Sequence, residues 1–422
     1  MRPSRRQTAA SPARVGNSRR HSADSRLLLY MGLLILVGLV VLFAISPYQI
    51  HRINAEGGSL DQGHYMLKQL TYLGIGAGVF SLSTMLPIPL WRRLASPLLL
   101  GAIALCMLLA LLGAFSIPPA MCFNGACRWF DFGITSFQPA EMLKFAIVLY
   151  MAVFLAARVR DGKLNDLHQT LIPVITVLGI AALFVIGLQK DMGTGITIFG
   201  AVLTMLFLAG LSMRWIALGG VGLVVLGGLL IVISPHRIER VTTFLSGNNV
   251  ADASSYHIDM AKLAIGSGGL FGKGLGNGVQ AFGYLPEALN DSIFAVLGEI
   301  FGFLGLIVII GLFVALLVRI VQTSERLQDP MMQLFVAGTF GWLGTHVIVN
   351  IGAMTGVLPL TGVTLPFLSF GGTSLVFMMA TLGIVFQMSR YTTFQIKGGS
   401  NETTRSRRGF GRSRYASPSR HQ

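Results

Sequence analysis

The sequence predicts an all-α polytopic membrane protein. It should have ten transmembrane helices and a long extracytoplasmic loop between the seventh and the eighth. Three observations carry that prediction. Only 12% of the 422 residues are charged and 53% are hydrophobic, against roughly 25% charged in soluble domains. The mean hydropathy is +0.68. The apolar residues fall into runs of about 20, the length that crosses a bilayer core of ~30 Å at 1.5 Å per residue.

The spans are expected at 27–46, 65–86, 97–116, 139–157, 171–188, 194–212, 215–234, 291–318, 331–356 and 369–389. The first is too long for the apolar part of a cleaved signal peptide and no A-x-A site follows it, so it should remain as an anchor. The fourth opens with Pro139, which suits a first helical turn. Between the ninth and tenth, Pro359 and Pro366 stand among glycines, which predicts a re-entrant or broken segment lining a cavity.

Charge gives the orientation. The net charge of +15 invites a nucleic-acid reading, but its placement excludes one. Residues 1–26 carry seven arginines and one acid, Asp24, and residues 390–422 carry eight Lys/Arg and one acid, Glu402. The body, 27–389, is left at only +2. Counted loop by loop, 23 basic residues fall on the side of the termini and eight on the other. Basic residues mark the cytoplasmic side, so both termini are expected there, which requires an even number of spans. The tails should be disordered, like-charged segments that hold anionic inner-leaflet lipid or division proteins, at about 1 kcal/mol per basic residue near the surface.

The outward side then owns two informative loops, 117–138 and 235–290. Loops of that length are usually functional or disordered, and the aromatics of 235–290 favour function. Cys122 and Cys127 lie in the first, on an oxidising side, and are disulfide candidates. Their spacing is not a zinc pattern, and Cys106 reads as core. Trp129 beside them reads as an interfacial anchor or a site residue, and Arg128 as a phosphate or headgroup contact.

The segment Tyr284-Leu285-Pro286-Glu287-Ala288-Leu289-Asn290-Asp291 leads into the eighth span. With Pro286 in a first helical turn, Glu287 and Asp291 would be i,i+4 neighbours on one face. Capping explains acids in a first turn. Asp291, where the apolar run begins, and Glu299, eight residues on, read as functional intramembrane carboxylates. Glu141 and Lys144 in the fourth span are spaced to pair, or to hold an anionic headgroup. The run from Gly266 to Gly278 has seven glycines in thirteen residues. It reads either as a flexible loop or as a backbone cradle for phosphate near Lys273; it is not a Walker A loop.

These segments resemble the SEDS family (shape, elongation, division and sporulation), the group of FtsW and RodA. The resemblance spans roughly 27–390 and rests on YLPEALNDSIFAVLGE, AIGSGGLFGKGLG, FQPAE, DMGTG and GVLPLTGVTLPFLSFGGTS, in family order. It implies a peptidoglycan glycosyltransferase that polymerises lipid II at the outer face of the bacterial cytoplasmic membrane, with a class B penicillin-binding protein and other divisome membrane proteins as partners. Its long tails are similar to those of the FtsW type, which acts at the septum. The resemblance puts the essential acid at Asp291 and a functional tryptophan at Trp129, and it links Glu141 and Lys144 to lipid handling. Departures are Ile300, where the family has a second Glu, Phe370 in the Ser-Tyr-Gly-Gly motif, and Lys190 in place of a proline.

Asp291 would be the base that takes the acceptor proton. The leaving pyrophosphate would be neutralised by Arg128, Lys144, Arg237, Arg240 or Lys273, with Glu287 near the substrate, or by a divalent cation, Mg²⁺ or Mn²⁺, with Glu299 as its candidate ligand. Loss of the second acid weakens that metal role. No organic cofactor is expected. The competing readings are a lipid II flippase, the RodA-type elongation polymerase, and a silent divisome scaffold, which Asp291 disfavours.

Overall fold

The computed structural model describes residues 22–232 and 253–391, apart from 56, 124 and 134. The chain is mostly helical. In order it forms α1 (Ser25–Ala55), α2 (His64–Met85), α3 (Ile88–Ala114), α4 (Pro139–Arg160), α5 (Ile172–Ala182), α6 (Met192–Ala209), α7 (Met213–Val232), α8 (Ala253–Ser267), α9 (Ile293–Arg326), α10 (Pro330–Met354) and α11 (Gly372–Met388). Single π-helical stretches, Leu167–Leu171 and Leu183–Leu188, extend α5 at both ends.

Among the described residues, eight helical segments are long and apolar enough to cross a membrane: α1, α3, α4, the extended α5, α6, α9, α10 and α11. The chain is therefore a multi-pass membrane protein. Helices α2 and α7 coincide with the other two apolar runs.

Two expectations need correction. The all-α reading misses a three-stranded antiparallel sheet, β1 (Ala120–Phe123), β2 (Ala126–Asp131) and β3 (Ser136–Phe137), in the loop before α4. The loop expected at 235–290 contains α8, and its residues 233–252 lie outside the described ones. The tail residues 1–21 and 392–422 lie outside them too.

Helices α4, α10 and α11 are the most buried and α3 and α5 the least. Helix α10 packs on α4, α6 and α9, and α11 packs on α2. Close contact depends on small residues: a Cβ on Gly200 or Gly341 would strike Thr345 or Thr204 across the α6–α10 seam. Small residues that let helix backbones approach are the usual glue where lipid offers no hydrophobic drive.

The two ends of the bundle are chemically distinct. At one end Arg319 pairs with Asp24 at 2.7 Å, the Asp24 amide donates to Ser389 Oγ at 3.0 Å, and Arg92 pairs with Asp329. The start of α1 is thus held to the far part of α9 and to the end of α11, and the start of α3 to the start of α10. Ile293, at the other end of α9, lies 26 residues from Arg319, at most about 39 Å at 1.5 Å per residue. That end carries the candidate site.

Candidate active site

Asp291 ends a turn and lies outside the helix. Helix α9 starts at Ile293, so Glu287 and Asp291 do not share a helical face as i,i+4 neighbours. The cause is local competition for backbone groups. The Glu287 carbonyl accepts from the amides of Asn290 (2.9 Å) and Ser292 (3.2 Å), and its carboxylate accepts from Asn290 Nδ2 at 2.6 Å. Glu287 itself adopts a left-handed φ of 49° and is exposed. The Ser292 hydroxyl closes the turn on the Pro286 carbonyl at 2.8 Å.

A buried asparagine anchors this turn. Asn350 of α10 donates from Nδ2 to the Asp291 carbonyl and to the Val363 carbonyl, each at 2.7 Å. Val363 belongs to the irregular segment between α10 and α11. The same segment places Gly362, at φ 72°, so close that a Cβ there would stand 3.9 Å from Asp291 Oδ2. The Phe370 amide donates to the Leu289 carbonyl at 2.8 Å. Asp291, half-buried, therefore stands where the turn, α10 and the irregular segment meet. The expected broken backbone is present, and a small cleft lined by Thr364, Pro366, Ser369 and Ser374 lies in it. Its free volume is about 10 Å³, room for little more than one water, so it does not enclose a headgroup in this conformation.

The three-stranded sheet is fixed beside α6. Cys122 and Cys127 are disulfide-bonded and are register partners on β1 and β2. Trp129 lies on β2 opposite Met121. Arg128 donates from Nε to the Gln189 carbonyl (3.0 Å) and from Nη2 to the Lys190 carbonyl (2.9 Å), which ties the sheet to the start of α6. Asp191 caps α6 by accepting from the Thr194 amide and hydroxyl, each at 2.9 Å.

Lys144 is 2% exposed. Its Nζ lies 2.8 Å from Glu141 Oε1, 3.3 Å from His346 Nε2 and 5.4 Å from the Trp342 ring centre. The His346 Nδ1 is 3.1 Å from the Thr364 carbonyl, which can only accept. Nδ1 therefore carries the imidazole proton, and Nε2 accepts from the ammonium. This buried cluster reaches the irregular segment from below.

Glu299 is fully buried, held by Lys273 of the glycine-rich run and by the backbone just after that run. Its Oε1 accepts from the amides of Val279 (2.8 Å) and Gln280 (3.1 Å) and from Lys273 Nζ (3.1 Å), and Oε2 accepts from the Ala281 amide (2.7 Å). The foreseen phosphate cradle, the backbone of 266–278, does not supply these donors: apart from the Lys273 side chain they are the amides of 279–281 just after it, and they hold a carboxylate of the chain itself. The pairing directs Lys273 to Glu299, and both carboxylate oxygens of Glu299 are occupied. Glu299 is therefore ill suited to hold a metal. Among the described residues no group of three or more His, Cys, Asp or Glu could hold one. Arg237 and Arg240 lie outside the described residues.

The structure thus gathers Asp291 and Glu287 in one turn, puts Arg128 and Trp129 on the sheet, and sets Glu141 with Lys144 inside the bundle. Sequence reasoning missed Asn350, His346, Ser292 and His257 as site residues. The one available signal was a polar side chain inside an apolar helix, which applied to Asn350 and His346.

Comparison with known proteins places this arrangement. The cell cycle protein family FtsW/RodA/SpoVE matches residues 25–394. A probable peptidoglycan glycosyltransferase FtsW of Coxiella burnetii is 37% identical over 337 residues, covering 78% of this chain and 87% of that one. The stage V sporulation protein E of Bacillus subtilis is 32% identical, covering 89% and 100%. Among solved structures, a chain from a peptidoglycan synthase complex that coordinates polymerization and crosslinking superposes with a TM-score of 0.69 at 26% identity, covering 87% of this chain and 98% of that one. The rod shape determining protein RodA of Thermus thermophilus superposes at 0.58 and 25% identity, covering 87% and 97%.

Proposed function

The chain belongs to the FtsW/RodA/SpoVE family of cell cycle proteins, and on that premise we propose that it is a peptidoglycan glycosyltransferase that polymerises lipid II at the outer face of the cytoplasmic membrane during septal synthesis. The observation that carries this reading is Asp291, presented at one end of the bundle by a turn that Asn350 anchors to the irregular segment.

In the reaction, the 4-hydroxyl oxygen of an incoming lipid II attacks C1 of the growing glycan. The new C1–O bond forms as the bond from C1 to the lipid pyrophosphate breaks. The pyrophosphate departs as an anion, so no general acid is needed, in contrast to glycosidases with their paired carboxylates. Asp291 takes the hydroxyl proton. A well-placed general base contributes about 10²–10⁴-fold. Asp291→Asn should therefore insert normally and lose polymerisation of labelled lipid II by at least ~100-fold. Full-length glycan from the purified variant would end the assignment.

Arg128 and Trp129 stand as contacts for the substrate on the outer sheet, and Arg237 and Arg240 as cations for the pyrophosphate. The described residues build no site for Mg²⁺ or Mn²⁺, so no step is routed through one. Ten spans, with α2 and α7 included, would leave both termini on one side, which the Asp24–Ser389 contact supports, and the basic tails argue that this side is the cytoplasm. A class B penicillin-binding protein is the expected partner; the likeness to a chain of a peptidoglycan synthase complex supports this. Midcell placement of a fluorescent fusion tests the septal role, and sidewall placement would reassign it to elongation.

A second reading, transport of lipid II across the membrane, is favoured by the Lys144 cluster buried beneath the irregular segment. Assays of flipping in liposomes, set against polymerisation by the same preparation, separate the two.

A further inference from the structure

One polar chain at the mouth of the site has no role in the reaction above. His257 of α8 places Nε2 2.5 Å from Ser292 Oγ. Ser292 is fully buried, whereas His257 is half-buried. The same hydroxyl lies 2.8 Å from the Pro286 carbonyl and 3.5 Å from Asp291 Oδ1. We propose that His257 is a positioning residue for Asp291, acting through the Ser292 hydroxyl; the proposal rests on Asp291 being the base.

A hydroxyl has one hydrogen to donate and two lone pairs. The Pro286 carbonyl and the Asp291 carboxylate can only accept. A bare Nε2 would take the only Ser292 hydrogen, and the Pro286 carbonyl would lose its partner inside a half-buried turn. With hydrogen on Nε2, His257 donates to Ser292 Oγ, and the hydroxyl hydrogen stays on the Pro286 carbonyl. The 286–292 turn is then closed, and that turn sets the place of Asp291 on one side, as Asn350 does on the other. An unsatisfied carbonyl in this half-buried turn loosens it, because a polar group shielded from water and left unpaired is costly. His257 comes from a separate helix, so it also links α8 to the position of the base.

The test compares four variants of the full-length chain in proteoliposomes supplied with labelled lipid II. His257→Leu keeps the bulk and removes the donor, and Ser292→Ala removes the relay. Each should lower kcat about tenfold, the worth of one hydrogen bond, with KM for lipid II within about twofold. His257→Leu combined with Ser292→Ala should be no slower than the slower single variant, since the two act as one unit. His257→Gln presents an amide donor near the place of Nε2 and should restore most of kcat. A Gln variant as slow as the Leu variant, a rise in KM without loss of kcat, or additive losses would each overturn the proposal. Asp291→Asn runs alongside. If it polymerises normally, the base assignment fails. If it is inactive while the His257 and Ser292 variants run at full rate, Asp291 remains the base and only the positioning role of His257 fails.

Discussion

Lys144 brings a full charge into the apolar interior of the bundle, and its shell is built to balance that charge. Glu141 Oε1 and His346 Nε2 accept from it, and the Trp342 ring lies against it. Glu141 Oε2 has no hydrogen-bond partner among the described residues, so this carboxylate depends on the lysine. Removing one member of a buried ion pair typically costs about 3–5 kcal/mol, because the other charge is left uncompensated. Lys144→Met should therefore lower the thermal unfolding midpoint sharply in detergent. Glu141→Gln together with Lys144→Met should recover much of it, since two neutral groups of similar volume replace the pair. A double variant no more stable than Lys144→Met would argue that the lysine acts through His346 instead. The charged pair was legible in the sequence, because any charge inside an apolar run stands out. The histidine and tryptophan that complete its shell were not, because they lie some two hundred residues away on α10.

Helix α9 depends on backbone supplied from elsewhere. At Gly302 its φ is 67° and ψ −169°, a conformation essentially restricted to glycine. The ladder breaks there, and the 268–274 strip repairs it from both sides. The Lys273 and Gly274 amides donate to the carbonyls of Glu299 (2.9 Å) and Ile300 (3.0 Å). The Phe303 and Leu304 amides donate to the carbonyls of Gly269 (2.8 Å) and Leu270 (3.1 Å). The strip reaches this close only without side chains: a Cβ on Gly272 would stand 2.1 Å from the Ile300 carbonyl oxygen. Gly276 has a similar φ, 90°, but nothing within 4 Å. Gly276→Ala should thus cost only the left-handed penalty, about 1–2 kcal/mol. Gly272→Ala should cost clearly more and speed hydrogen exchange at Phe303 and Leu304. Equal costs, with unchanged exchange, would mean that the strip does not hold the break. The sequence showed the glycines but not their use, since the break lies about 30 residues beyond them and glycine composition alone fits a flexible loop equally well. The onset of α9 was misplaced for a related reason: Asn290 and Ser292 bond the turn before the helix can claim its amides.

Across the whole molecule, the apolar runs foretold where helices lie, because a run of about 20 apolar residues leaves the backbone few other ways to satisfy its polar groups in lipid. They did not foretell the outer sheet or α8, which follow from tertiary packing at one face. The distribution of charge follows the same division. Residues 1–21 and 392–422 carry most of the net +15, whereas Asp24 belongs to the body through its pair with Arg319. The reading that the tails bind anionic inner-leaflet lipid makes a prediction at this scale. Deleting 1–21 and 392–422 leaves the Asp24–Arg319 pair intact, so the bundle should unfold at an unchanged temperature and polymerise lipid II at its usual rate in neutral detergent. Each basic residue near an anionic surface contributes about 1 kcal/mol. The two deleted peptides, made separately, should therefore bind vesicles rich in anionic lipid and ignore zwitterionic ones. Binding should fall steeply as salt shortens the Debye length from ~10 Å at 0.1 M to ~3 Å at 1 M. Peptides that bind both vesicles alike, or whose binding survives 1 M salt, would show that charge is not what holds the tails. Loss of polymerisation on deletion would instead assign them to the site's own machinery, at the far end of the bundle from Asp291.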